Sequence, residues 1–158
     1  MAIAAMHLRI KGISGEALAS GHSGEMDVVA WDWGMEAGSP LSDGSPGAAA
    51  SMRTVNVVKR VDRATPALFQ YLDQHKVVSE ARLTVSKAGG AAPLEYLTVD
   101  MTRVRIVGVE VSSDGPWLTE RVTLSCETVT LNYTPQSSLG TQASGAISFT
   151  AIHPAACA

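Results

Sequence analysis

Residues 94–133, LEYLTVDMTRVRIVGVEVSSDGPWLTERVTLSCETVTLNY, constrain the fold more than any other stretch of the chain. They read as two unusually long β-strands joined by one turn, Ser112-Ser113-Asp114-Gly115-Pro116. In the first arm Leu97, Val99 and Met101 alternate with Thr98, Asp100 and Thr102. The apolar phase then slips: Val104 and Ile106 fall on the other parity, and Val107, Val109 and Val111 return. The second arm carries Leu118, Val122, Leu124 and Cys126 on one parity, then Val129, Leu131 and Tyr133 on the other. Side chains of a strand alternate between its faces, so a change of parity within one strand demands a bulge or a bend. A strand that changes its buried face midway either turns a corner in a barrel or serves two sheets. The bends are expected near Thr102–Arg105 and Glu127–Thr128.

The chain is one domain long, 158 residues. A chain of that size buries roughly 70% of its unfolded surface and holds a core without staples. Only 17% of its residues are charged, against ~25% in soluble domains. The uncharged surface this leaves hints at burial against other copies. A net charge of -3 without clustered Lys or Arg gives no reason to expect nucleic acid as a partner. No apolar run approaches the ~18 residues of a membrane-spanning helix, so no membrane insertion is expected. Met1 to Met6 is apolar but short, lacks a positive leading region and runs into His7, Arg9 and Lys11. It does not read as a signal peptide, so the expected site of synthesis and folding is the cytoplasm. Cys126 on an apolar strand parity and Cys157 in the tail read as a buried free thiol and a tail thiol, not a disulfide.

The remaining elements fit around the hairpin. Strands are predicted at His7–Ile13, Glu25–Met35, Met52–Val61, Val77–Lys87 and Ala146–His153, about seven strands with the two long arms. In Glu25–Met35 the parity changes again, from Met26, Val28 and Ala30 to Val29, Trp31, Trp33 and Met35. A helix is predicted within Asp62–Lys76, with Thr65 as N-cap, Pro66 at the first helical position and Leu68, Phe69 and Leu72 as the apolar stripe. Residues 37–51, AGSPLSDGSPGAAAS, have almost no large side chains and read as a long extended loop. The expected fold is mainly β: a single-domain antiparallel β-barrel of two curved sheets, one short helix (about 66–75) and that loop. Residues 154–158 are expected to form a disordered tail.

No catalytic template fits. Gly21-His22-Ser23-Gly24-Glu25 lacks the closing glycine of a nucleophile elbow and precedes a strand rather than a helix. His7, His22, His75 and His153 show no metal-ligand spacing, and there is no CxxC, no phosphate loop and no dinucleotide fingerprint. Neither catalytic residues nor a metal or cofactor are therefore expected. Trp31-Asp32-Trp33 should place both indoles on one side of a strand and Asp32 on the other.

Four segments in this order, GEMDVVAWDWGM, RVDRATPALFQYL, EARLTVSKAGGAAPLEYLTVDMTRVRI and LTERVTLSCETVTLNYTPQ, closely resemble the haemolysin-coregulated protein (Hcp) family of bacterial type VI secretion systems. The resemblance runs from about Met6 to His153. It rests on the W-x-W-G-M strand end, the D-x-x-T-P helix start, the K-A-G-G turn before E-Y-L, and L-T-E-x-V-x-L before Y-x-P-Q, taken together. It implies a non-enzymatic β-barrel that forms homohexameric rings, which stack into the exported inner tube of a contractile machine. The implied partners are other copies of itself, the spike protein, the sheath and effector proteins, which the tube carries or chaperones. Secretion by the machine itself would need no signal peptide. The resemblance suggests that the 37–51 loop contacts the next ring, through Ser39, Pro40, Leu41, Asp43 and Pro46. Asp32 and Lys59 are the expected lumen or cargo residues. The alternatives are a monomeric small-ligand-binding β-barrel and a structural protein like those of phage tail tubes.

Overall fold

The long hairpin closes a barrel with one half and leaves it with the other. The computed structural model describes residues 3–37, 50–89, 92–113, 115–137 and 145–153. In chain order these form β1 (Ile3–Ile10), β2 (Met26–Asp32), β3 (Met35–Glu36), β4 (Ser51–Met52), β5 (Val55–Arg60), α1 (Thr65–Asp73), β6 (Val77–Lys87), β7 (Leu94–Ser112), β8 (Thr119–Ser125), β9 (Thr128–Tyr133) and β10 (Ile147–Ile152). The main sheet runs β10-β9-β7-β6-β1-β2-β5-β8, and β8 pairs back onto β7. Six antiparallel strands therefore close on themselves, while β9 and β10 extend sideways from β7 as a flange.

β7 makes this possible because it is 19 residues long. Arg105 to Ser112 pair with β8, and Leu97 to Thr102 pair with β9. The handover lies where the apolar parity slips. Arg103 adopts φ 47, in the left-handed region, and this turns the buried set from Val99 and Met101 to Val104 and Ile106. The facing break between β8 and β9 is tied to it. The Glu127 amide donates to the Thr102 carbonyl at 3.0 Å, and the Arg103 Nε to Glu127 Oε2 distance is 2.7 Å. Thr102 and Thr128 join their hydroxyls across the same point. Both predicted bends are thus present and bonded to each other. Beyond them, Val107 and Val111 do not return to the core but remain exposed, as do Trp117 and Leu118.

The core is one cluster drawn from every barrel strand, including Leu8, Met26, Val57, Leu83, Met101, Ile106 and Leu124. α1 packs against β7 and adds Leu68, which is fully buried, a contribution of roughly 1.5–3 kcal/mol for a side chain of that size. Thr65 is not the N-cap. Ala64 holds that position without a side-chain bond. Asp62 organises the helix start instead: its carboxylate accepts from the Ala64 amide at 2.9 Å, and its own amide donates to Thr65 Oγ1.

In β2 the expected parity change is a register shift between Val28 and Ala30. The strand predicted to reach Met35 stops at Asp32, and β3 pairs with β4 as a separate two-stranded sheet. That small sheet joins the described residues on either side of 38–49. It is braced by an Arg53–Glu36 ion pair at 2.9 Å and by Trp33 Nε1 donating to the Arg53 carbonyl. Residues 38–49 and the tail 154–158 lie outside the described residues.

Candidate functional site

The flange of β7, β9 and β10 has two unlike faces, because its strands pair in register without a bulge. One face is a hydrogen-bonded polar row. Arg82 Nε donates to Asp100 Oδ1 at 2.6 Å, Asn132 Nδ2 to Asp100 Oδ2 at 2.9 Å, and Ser148 Oγ to Asn132 Oδ1 at 2.6 Å. The Asp100 bond raises the Arg82 pKa further above its ordinary value. The other face carries Val99–Leu131–Phe149 and Leu97–Tyr133–Ile147 as cross-strand triplets. Near the barrel this face is buried. At its rim Tyr133, Ile147 and Phe149 are 45%, 65% and 53% exposed. β10 ends the sheet, and among the described residues no strand pairs with its outer edge. An unpaired edge beside exposed apolar side chains is a ready surface for another chain.

Asp32 is exposed at the end of β2. Its Oδ1 accepts from Asn56 Nδ2 at 3.0 Å, and Asn56 Oδ1 accepts from Thr123 Oγ1 at 3.1 Å. A polar row thus crosses β2, β5 and β8 on the outer face of the barrel. Trp31 and Trp33 pack against the core. Ser39, Pro40, Leu41, Asp43 and Pro46 lie outside the described residues.

Lys59 is placed differently from its expectation as a lumen residue. It is fully buried inside the subunit and ion-paired with the equally buried Glu120, its cross-strand partner. Its Nζ also donates to Asp62 Oδ1 and to the Arg60 carbonyl, each at 2.9 Å. Two ammonium protons are thus in hydrogen bonds, and the Glu120 carboxylate lies against the same ammonium. The signal was present in the sequence: Lys59 shares the parity of Val55 and Val57, and Glu120 that of Val122 and Leu124.

Sequence spacing gave no metal motif, but folding gathers two of the scattered histidines. His7 on β1 lies opposite Asp27 on β2, with Nε2 and Oδ1 3.3 Å apart. The loop before β2 folds over it and stacks His22 on its ring, with centroids 4.3 Å apart. Gly15 permits this close passage, since a Cβ there would stand 2.5 Å from the Glu25 carbonyl oxygen. His22 Nδ1 lies 2.7 Å from Glu25 Oε2 and its Nε2 lies 2.8 Å from Glu95 Oε1. His7 has its pKa lowered, first by burial and then by the charge of His22.

The class these features define is a filled antiparallel β-barrel with a two-faced side sheet. Residues 7–136 match the family described as type VI secretion system effector, Hcp, and the chain belongs to that family. It is similar to protein hcp1 of Pseudomonas aeruginosa, 32% identical over 148 residues, with 91% of each chain covered. Among solved structures it resembles a type VI secretion system effector from Yersinia pestis, with TM-score 0.74, 28% identity and coverage of 93% of this chain and 98% of that one. Hcp1 from Salmonella typhimurium is equally similar, with TM-score 0.75, 29% identity and coverage of 96% and 95%.

Proposed function

We propose that the chain is a tube subunit of a type VI secretion system, acting by binding and not by catalysis. Copies associate into hexameric rings, the rings stack into the secreted inner tube, and the lumen carries or chaperones effector proteins. The observation that carries this reading is the flange. Its exposed Tyr133, Ile147 and Phe149 and its β10 edge, unpaired among the described residues, are suited to closing a ring against the next copy. Residues 37–51, including Ser39, Pro40, Leu41, Asp43 and Pro46, project toward the adjacent ring, and Asp32 lies on the lumen wall. The spike protein and the sheath are the further partners, and the tube leaves the cell through the machine.

The filled interior weighs against a small-ligand carrier, because Leu8, Met26, Leu83, Met101 and Leu124 occupy the space a ligand would need. Size-exclusion chromatography with light scattering and negative-stain microscopy tests the proposal. Rings of six are expected from the intact chain, and Phe149→Glu should yield folded monomers. A compact monomer at high concentration of the intact chain, or rings indifferent to Phe149→Glu and Ile147→Glu together, would overturn it.

A further inference from the structure

We propose that His7, His22 and Glu25 form a binding site for a divalent transition-metal ion of the zinc class. One ligand atom from each of the three lies within 4.8 Å of the others. Such a donor set, two imidazoles and a carboxylate, suits zinc and its neighbours.

One detail points to an ion, and a second supplies a neighbouring ligand. The first is His7, only 3% exposed, whose Nδ1 has no hydrogen-bond partner among the described residues. Its Nε2 faces Asp27 Oδ1. A proton on Nε2, held by that carboxylate, leaves Nδ1 with a free lone pair. This is how an outer carboxylate sets the tautomer of a metal-bound histidine. The second is His22, which meets a carboxylate oxygen at each nitrogen, Glu25 at Nδ1 and Glu95 at Nε2. An imidazolium donates at both nitrogens and matches both carboxylates, so an ion at Nδ1 binds by displacing one of those protons. With the remaining proton on Nε2 toward Glu95, Nδ1 is free to take the ion beside Glu25. Both histidines then share one arrangement, with Nε2–H on an outer carboxylate and Nδ1 on the ion.

Asp27, Glu25 and Glu95 supply the negative charge, and Arg82 is the neighbouring cation acting on Glu25 and Glu95. The rings now lie 9° from parallel, so an ion shared by both Nδ1 atoms needs one ring to turn. His22 has that freedom. It sits outside any strand, between Gly21 and Gly24, whose φ values of 81 and 80 mark tight turns.

Chelator-treated full-length protein, titrated calorimetrically with zinc and optically with cobalt(II), tests the site. One ion per chain is expected, with binding weakening from about pH 7.5 to about pH 5.5 as protons compete for the imidazoles. His22→Gln and His7→Phe should each weaken binding at least about tenfold. Asp27→Asn, which touches no ion, should weaken it by roughly tenfold through loss of orientation. His75→Gln should bind as the parent does. Imidazole nitrogen NMR of the parent gives a readout independent of variant folding, with shifts at His7 and His22 on adding zinc. No binding, binding unchanged in His22→Gln, or nitrogen shifts confined to His75 or His153 would each overturn the proposal.

Discussion

Replacing Lys59 by Met removes an ammonium while keeping most of the side-chain volume, and the barrel should lose much of its stability. Lys59 and Glu120 are both fully buried and pair across β5 and β8. Without the ammonium, the Glu120 carboxylate stays in the interior with no counter-charge, and its Oε2 already lacks a hydrogen-bond partner. Breaking a buried pair from one side costs about 3–5 kcal/mol. For a domain of this length each kcal/mol moves Tm by roughly 2–4 °C, so a fall of roughly 6–20 °C is expected. Asp62 also loses a partner, but it keeps the Ala64 amide and so still starts α1. The double variant Lys59→Met/Glu120→Leu removes both charges and should recover most of the loss, because an apolar replacement of a whole buried pair is neutral or better. Urea and thermal unfolding followed by circular dichroism at neutral pH measure both. A single variant within about 1 kcal/mol of the parent, as for an exposed ion pair, would refute the reasoning. So would a double variant whose loss equals the sum of the two singles.

Arg103→Val should cost about 1–2 kcal/mol, since a β-branched residue resists the left-handed backbone found there, whereas Arg103→Gly should be near neutral; equal losses in urea melts would contradict the bend assignment. Burial pushes the Cys126 thiol up to about 12, so in a Cys157→Ser background only about one molecule in ten thousand carries the thiolate at pH 8. Disulfide reagents should then label it only as fast as the protein unfolds, and rapid labelling of native protein would count against the packing described. Because the unfolded thiol ionises first, this position also lowers stability as pH rises above its ordinary value of 9.0. Deleting residues 38–50 should leave the barrel folded and weaken stacking of rings, as read by electron microscopy; loss of the subunit fold would remove the loop from that role. Asp32→Trp should spare rings and alter effector retention in a pull-down, and loss of rings would make Asp32 a structural residue.

The sequence alone determined the barrel and its two bends. Alternation is local, so the shifts from Met101 to Val104 and from Cys126 to Val129 announce a change of buried face wherever the chain runs. It also carried the family, through motifs spread along nearly the whole chain. The sequence did not say which half of the hairpin closes the barrel, because that depends on which strand meets each half of β7's free edge. Only the tertiary structure decided that β8 takes Arg105–Ser112 while β9 takes Leu97–Thr102 and carries β10 outward. It also decided two placements that depend on distant partners. Lys59 and Glu120, 61 positions apart, meet because β5 and β8 are neighbours. His7 and His22 stack because the loop between them folds back over β1. Spacing rules see neighbours along the chain, and both clusters are made by neighbours across strands.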